Sequence, residues 1–178
     1  MDRDELAAAL RSGDADRVNR ALDDLNETDI EDRMPLFEAV IDDLEAIYAD
    51  SDDGYVRQSV VRATKEFTMG VYVLSALEDA PARRLEDADR EDVRRWTDEC
   101  CGFLLEALQD EDGRVRRAGN RALKDVFRAY GANGDEETLS ALVAELEALA
   151  ADAEGSKREH LLEASENAKR FGSGGLLF

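Results

Sequence analysis

The sequence predicts an all-α protein made of about four antiparallel helical hairpins stacked side by side. Its apolar residues recur at spacings of three and four, the period of a helix with one buried face, and alternating strand-like patterns are nearly absent. Only two prolines interrupt the 178 residues, and acidic or glycine-containing turns separate the apolar stripes. These observations favour short connections between helices over a sheet.

The first hairpin is predicted from two short stripes at the N-terminus. Leu6 and Leu10 form the first stripe, which stops before Gly13. The second stripe follows either Asp14 or Asp16, both of which are suitable N-caps. Its apolar residues are Val18, Ala21, Leu22 and Leu25.

The second hairpin is predicted to have longer helices. Thr28 and Glu31 have the spacing of a capping box, and Pro35 suits the first turn of the helix that follows. After an acidic turn that ends at Gly54, the second helix is expected to continue until Pro81 stops it. The apolar residues of the two helices are Leu36, Phe37, Val40, Ile41, Leu44 and Ile47, then Val56, Val60, Ala63, Phe67, Val71, Leu74 and Leu77.

The third hairpin follows a charged stretch, residues 82–91, which is predicted to be an exposed connection. Its two stripes are Val93, Trp96, Cys100, Phe103, Leu104 and Leu108, then Val115, Ala118, Ala122, Val126, Phe127 and Tyr130. Gly131 and Gly134 are expected to supply the positive φ that a helix end favours.

The fourth hairpin is predicted to begin at Asp135 and to turn at Gly155. Ser156 and Glu159 have the spacing of a second capping box, and Gly172 is expected to end the last helix. The apolar residues are Leu139, Leu142, Val143, Leu146 and Leu149, then Leu161, Leu162, Ala168 and Phe171.

The chain is predicted to form a single domain over residues 1–172, followed by a flexible tail over 173–178. The glycine-rich start of this tail leads to Leu176, Leu177 and Phe178. These three apolar residues are expected to dock on the last hairpin, to act as a short partner motif, or to close a homo-oligomer.

The charge composition predicts a halophilic protein. Asp and Glu number 43 against 23 Lys and Arg, which gives a formal net charge of −20. A surface poor in lysine and rich in aspartate resembles the proteins of salt-in halophiles such as haloarchaea, and the alternative is an ordinary acidic protein. In molar salt the Debye length falls to about 3 Å, so recognition depends on short-range contacts. Nucleic acid is a disfavoured partner because of net repulsion and the salt-sensitivity of phosphate contacts.

The sequence favours a cytoplasmic location without a membrane partner. No apolar run approaches the roughly 20 residues that span a bilayer, and the N-terminus lacks the features of a signal peptide. Cys100 and Cys101 are adjacent and cannot link distant parts of the fold, which agrees with a reducing compartment.

Two of the predicted hairpins are internally similar. The segment DGYVRQSVVRATKEF, which begins at Asp53, aligns without gaps with DGRVRRAGNRALKDV, which begins at Asp112. Val56, Arg57 and Arg62 then match Val115, Arg116 and Arg121. Repetition of this kind is typical of a solenoid, in which each hairpin buries its apolar face against its neighbours.

The segment LLEALQDEDGRVRRAGNRAL resembles a HEAT repeat of the armadillo-like α-solenoids, although Gly119 stands where an apolar residue is more typical. The resemblance implies a right-handed α-α superhelix whose concave side is formed by the second helices, here 54–77 and 113–130. It also implies that turn aspartates and the arginine after valine form ladders between repeats. Asp53 with Arg57, and Asp112 with Arg116, would then be mainly structural.

A strip of cations is the main candidate site. Its members are three or four residues apart on one predicted helix face, and only Asp125 offsets them locally. The strip is either a protein-binding face or a set of ion pairs with the adjacent repeat. Tyr55 and Tyr72 are candidate aromatic anchors of the same interface, whereas Trp96 is expected in the core. The strip consists of Arg114, Arg117, Arg121, Lys124 and Arg128.

No catalytic, metal or cofactor site is predicted. His160 is the only histidine, no metal-binding spacing is present, and neither cysteine has an activating partner in sequence. We therefore expect a non-enzymatic adaptor or scaffold that binds an acidic or extended segment of another protein. The alternatives are a nucleic-acid-associated HEAT-like protein and a structural homo-oligomer closed by the C-terminal tail.

Overall fold

A computed structural model describes residues 1–76 and 88–172 of the chain. These residues form eight α-helices, and no β-strand occurs among them. The helices are α1 (Arg3–Ser12), α2 (Ala15–Glu27), α3 (Ile30–Asp50), α4 (Gly54–Ala76), α5 (Arg90–Leu108), α6 (Gly113–Ala132), α7 (Glu136–Ala151) and α8 (Gly155–Gly172). The all-α prediction is confirmed at this level.

The helices pack as four sequential pairs. α1 contacts α2, α3 contacts α4, α5 contacts α6, and α7 contacts α8. The connections inside these pairs are two to four residues long, which makes each pair an antiparallel hairpin. The second helices also touch one another in order, α2 with α4, α4 with α6, and α6 with α8, and the α4–α6 contact is the most extensive. α4 therefore lies between α2 and α6.

Aspartates fix several helix starts. The Asp14 carboxylate accepts the backbone N–H of Arg17 at 2.8 Å, so Asp14 rather than Asp16 caps α2. Asp135 caps α7 as predicted, through the N–H of Thr138. Gly13 and Gly134 take positive φ values of 62° and 69°, which matches their expected roles at helix ends.

The predicted start of α3 is wrong. Thr28 is the C-cap of α2, and its hydroxyl donates to the carbonyl of Asp24 instead of capping α3. α3 starts after Asp29, which makes no side-chain capping bond, so the Thr28–Glu31 capping box does not form. Pro35 consequently lies in the second turn of α3, beyond the first turn where its missing N–H has no cost.

Two predictions at the end of the chain also need correction. Gly131 lies inside α6 and does not have a positive φ; Gly134 takes that role alone. The Ser156–Glu159 capping box is absent, because α8 begins at Gly155 and places Ser156 within the helix. The Ser156 hydroxyl accepts a hydrogen bond from Arg116 instead, at 2.7 Å.

One continuous hydrophobic core runs through the described hairpins. Most of the predicted stripe residues are buried in it, including Phe37, Phe67, Trp96 and Phe127. Leu162 is the clear exception, since 41% of it is exposed. Six further stripe residues are only partly buried: Leu36, Ile41, Ala118, Val143, Leu149 and Phe171.

Several predictions fall on residues that the structure does not describe. Leu77, Pro81 and the first six residues of the predicted 82–91 connection lie there, as do Leu176, Leu177 and Phe178 of the predicted 173–178 tail. The last residues of that connection already belong to α5, which begins at Arg90. In the ranges 1–76 and 88–172, no helix is both long and apolar enough to cross a membrane.

Candidate functional site

A partly buried ion pair links the second hairpin to the third. The Asp110 carboxylate, in the turn between α5 and α6, accepts hydrogen bonds from Arg57 at 2.7 and 3.1 Å and from the Tyr48 hydroxyl at 2.6 Å. Only 5% of the Asp110 side chain is exposed. Arg57 also donates to the carbonyl of Ser51, at 2.8 Å. One carboxylate thus joins α3, α4 and the next turn of the chain.

Arg116 makes the equivalent connection one hairpin later. It is buried and donates to the carbonyls of Asp110 and Glu111 at 2.7 and 2.8 Å. Its guanidinium also reaches Ser156 at the start of α8 and contacts the ring nitrogen Nδ1 of His160 at 3.4 Å. Like Arg57, Arg116 binds the turn of its own hairpin and a group of the following one.

The resemblance implies structural roles for Asp53 with Arg57 and for Asp112 with Arg116, and neither aspartate is bonded to the arginine of its own repeat. Asp53 and Asp112 accept backbone N–H groups, those of Tyr55 and Arg114, each at 2.8 Å. The two aspartates therefore accept backbone N–H groups that have no partner within the first turns of α4 and α6, as N-cap residues commonly do. The arginines, whose side chains are longer, reach past them to the next hairpin.

The electrostatics of Asp110 and Asp112 follow from these contacts. Burial raises the pKa of Asp110, but hydrogen bonds from Arg57 and Tyr48 outweigh burial and lower it overall. Hydrogen bonds from the Arg114 side chain and backbone lower the pKa of Asp112 to about 2. Both groups are therefore anionic at neutral pH, as the ion pair of Asp110 with Arg57 and the Asp112 cap of α6 require.

The main candidate site is a groove of about 640 Å³ formed by α2, α4 and α6. Five cationic and two acidic side chains of the described residues line it, on a chain whose net charge is −20. The lining residues are Leu22, Asp23 and Asn26 of α2, Gln58, Arg62, Lys65 and Glu66 of α4, and Arg114, Arg117, Ala118 and Arg121 of α6. We call this surface the basic groove.

The structure divides the predicted cation strip into two parts. Arg114, Arg117 and Arg121 line the basic groove, whereas Lys124 and Arg128 do not. Lys124 lies 3.7 Å from Glu163 of α8. Arg128 pairs with Asp125 at 2.8 Å and lies over the rings of Tyr72 and Phe171.

Arg117 and Arg121 are the cations of the groove that remain available. Arg114 is held by Asp112, Arg62 donates to Asn19 at 3.1 Å, and Lys65 lies 3.4 Å from Glu66. Arg117 and Arg121 are exposed and have no hydrogen bond or ion pair within the described part of the chain. A bound carboxylate would not need to break an existing contact of either guanidinium.

The aromatic candidates lie outside the groove. Tyr55 and Tyr72 are half-buried, and Tyr72 is covered by Arg128. Neither of them lines the basic groove. Trp96 is buried as expected, and its indole N–H donates to Glu38 at 2.9 Å.

Sequence reasoning missed the part of the groove that α2 and α4 supply. Arg62 matches Arg121 in the internal alignment, so the repeat itself contained a signal for it. Gln58 and Lys65 likewise match Arg117 and Lys124 of the strip, whereas Asp23 and Asn26 of α2 had no such signal. They enter the site because α2 and α6 pack on either side of α4.

A second surface has the opposite charge. The shallow groove between α3 and α5 is lined by Asp42, Glu45, Asp98, Glu99 and Glu106, with the buried Phe103 beneath them. Burial and the neighbouring carboxylates raise the pKa of Glu45. Among the described residues, however, no group of three or more His, Cys, Asp or Glu side chains is placed to hold a metal ion.

Burial shifts the pKa values of both cysteines and of His160. Both thiols are buried; burial raises the pKa of Cys100, and it raises that of Cys101 to about 12. A thiol with a raised pKa is a poor nucleophile at neutral pH. Burial and the charge of Arg116 lower the pKa of His160.

The comparisons with known proteins give no assignment. No protein-family model matches the chain, and searches of curated proteins and of solved structures found no match.

Proposed function

We propose that this protein is a non-enzymatic adaptor that binds an acidic segment of another protein in the basic groove. The observation that supports this proposal is the concentration of five cations against two acids in one groove of a chain with a net charge of −20. Maintaining such a groove against the overall charge is more readily explained by a binding role than by solubility, which acidic side chains serve better.

The proposed architecture is a HEAT-like right-handed superhelix. It is supported by the unbroken row of contacts along the second helices, α2 to α4 to α6 to α8. The equivalent links made by Arg57 and Arg116 to the following hairpin support it as well. In such a stack the second helices share one face, which would place the basic groove on the concave side.

Arginine suits a binding site in a high-salt cytoplasm, which is the location that we propose from the acidic composition. At molar salt, attraction over more than a few ångströms is screened. Arg117 and Arg121 can instead form direct bidentate hydrogen bonds with carboxylates, in which geometry contributes as well as charge. The expected partner therefore presents carboxylates that enter the groove.

A protein partner fits the groove better than a nucleic acid does. Single-stranded nucleic acids are bound by aromatic side chains that stack on the bases, together with cations that follow the phosphates. No phenylalanine, tyrosine or tryptophan occurs among the groove-lining residues of the described chain. The net charge of the protein would also repel a polyanion.

The proposal is tested by charge reversal in the groove. We expect the wild-type protein to retain a stoichiometric protein partner from native high-salt lysate, and Arg117→Glu with Arg121→Glu to lose it. The double variant should retain the helical circular dichroism of the wild type, because both side chains are exposed and lack described partners. Retention of RNA or DNA instead of protein would favour the nucleic-acid alternative.

A matched control separates the effect of the groove from that of total charge. Arg17 and Arg158 are also exposed, and neither lines the groove. Arg17→Glu with Arg158→Glu changes the net charge by the same amount and should leave partner binding intact. Equal loss of the partner in both double variants would contradict the proposal.

A further inference from the structure

The basic groove is not uniformly basic, because its two outer helices differ in charge. On the α6 side it presents Arg114, Arg117 and Arg121. On the α2 side it presents Asp23 and Asn26 and no cation among the described lining residues. Asp23 is exposed and forms no hydrogen bond or ion pair with the described residues. A ligand between α2 and α6 therefore meets free cations on one side and a free carboxylate on the other.

The spacing along α6 matches that of an extended peptide. Arg117 and Arg121 are four residues apart on one helix, which separates their backbone positions by about 6 Å along the axis. In an extended chain, side chains that point the same way are two residues apart, or about 6.6 Å. Two acidic residues separated by one residue could thus each face one of the two free guanidinium groups.

The intervening residue of such a peptide would face the other side. Successive side chains of an extended chain point in opposite directions, so the residue between two acids is directed towards α2. There Asp23 favours a lysine or arginine, and Asn26 can accept or donate a hydrogen bond. The middle helix, α4, adds Gln58, whose amide can bind the peptide backbone.

We infer that the groove recognises an extended segment in which acidic residues alternate with basic ones, an inference that rests on the proposed function. Alternation fits both sides of the groove at once, whereas a block of acids would place carboxylates against Asp23. Recognition of this kind selects a pattern and not merely a charge, because like-charge contacts are penalised. It would also discriminate among the many acidic proteins of a high-salt cytoplasm.

Two synthetic peptides of identical composition test the inference. In one, glutamate and lysine alternate; in the other, all glutamates precede all lysines. We expect fluorescence polarisation at about 1 M KCl, where long-range steering is screened, to show at least fivefold tighter binding of the alternating peptide. Arg117→Gln with Arg121→Gln should abolish this preference, while Arg17→Gln with Arg158→Gln should preserve it.

A single substitution on α2 tests the second side of the groove. Asp23→Asn should weaken the alternating glutamate–lysine peptide about threefold and should not weaken a glutamate–glutamine peptide. If the two isomeric peptides bind equally well, and the variant Arg117→Gln with Arg121→Gln binds neither, the alternating pattern is overturned. The adaptor proposal then remains intact. Failure of the wild-type protein to bind any of the acidic peptides would overturn both.

Discussion

At the scale of single residues, Asp110 connects two hairpins through one carboxylate. Its carboxylate is nearly inaccessible and accepts three hydrogen bonds from two side chains of the preceding hairpin. A buried carboxylate is stable as an anion only when its partners are in place. Asp110 therefore couples the turn between α5 and α6 to both helices of the second hairpin.

Replacing Asp110 by alanine should be strongly destabilising. The substitution leaves the Arg57 guanidinium and the Tyr48 hydroxyl without their partner, and breaking a buried pair in this way costs about 3 kcal/mol. Urea denaturation followed by circular dichroism would measure the change in the free energy of unfolding. Asp52→Ala, at an exposed position in the equivalent turn, is the control and should change it by less than about 0.5 kcal/mol. A cost below about 1 kcal/mol for Asp110→Ala would show that the bonds of Asp110 with Arg57 and Tyr48 do not stabilise the fold.

At the scale of elements, the packing of α5 against α6 depends on a small residue at Gly119. A Cβ atom at this position would lie 3.4 Å from the carbonyl oxygen of Leu104 and 3.5 Å from the Ala107 methyl group. The two helices are thus close enough to admit a methyl group but nothing larger. This explains why a small residue occupies position 119.

Substitutions at Gly119 should therefore depend sharply on size. Gly119→Ala should be neutral or should stabilise the protein by up to about 1 kcal/mol, since alanine has the better helix propensity. Gly119→Leu should destabilise by about 3 kcal/mol, because the backbone of α5 must move to accept it. Thermal unfolding of the two variants measures both effects, and the alanine variant serves as the control. Similar melting temperatures for the two would contradict the close approach of the helices.

At the scale of the whole molecule, charge is distributed unevenly over a strongly acidic chain. Cations outnumber acids by five to two in the groove of α2, α4 and α6, and acids dominate the groove between α3 and α5. A net charge of −20 over a compact fold produces self-repulsion that opposes folding. The described ion pairs, such as those of Arg3 and Arg11 with Asp43, offset this repulsion only locally.

Salt should stabilise the protein markedly at neutral pH. Raising KCl from about 0.1 M to 1 M shortens the Debye length from about 10 Å to about 3 Å and screens repulsion between surface carboxylates. We expect the melting temperature to rise by at least about 10 °C over this range. The same titration at about pH 4, where exposed carboxylates are about half protonated, should give a much smaller rise. An equal rise at both pH values would show that screening is not the cause.

The sequence by itself determined the helices and the residues that their buried faces contribute to the core. Helical periodicity is a local property, so Val93 to Leu108 or Val115 to Tyr130 could be assigned without knowing their neighbours. Helix starts were less certain where several capping residues follow one another, as at Thr28 and Asp29, because each can satisfy the same backbone groups. The helix boundaries predicted at Gly13 and Asp135 are confirmed, because the cap at each depends on a single local residue.

Only the tertiary structure decided which residues meet across hairpins. Arg57 could have paired with Asp53, four residues away, but its long side chain and its burial against the next turn favour Asp110. The cations of α6 could be predicted as a strip, yet their separation into free and paired members depends on what α4 and α8 place beside them. The groove itself depends on the packing of α2, α4 and α6 side by side. No local pattern encodes this arrangement, because contacts between distant segments are set by the packing of the whole core.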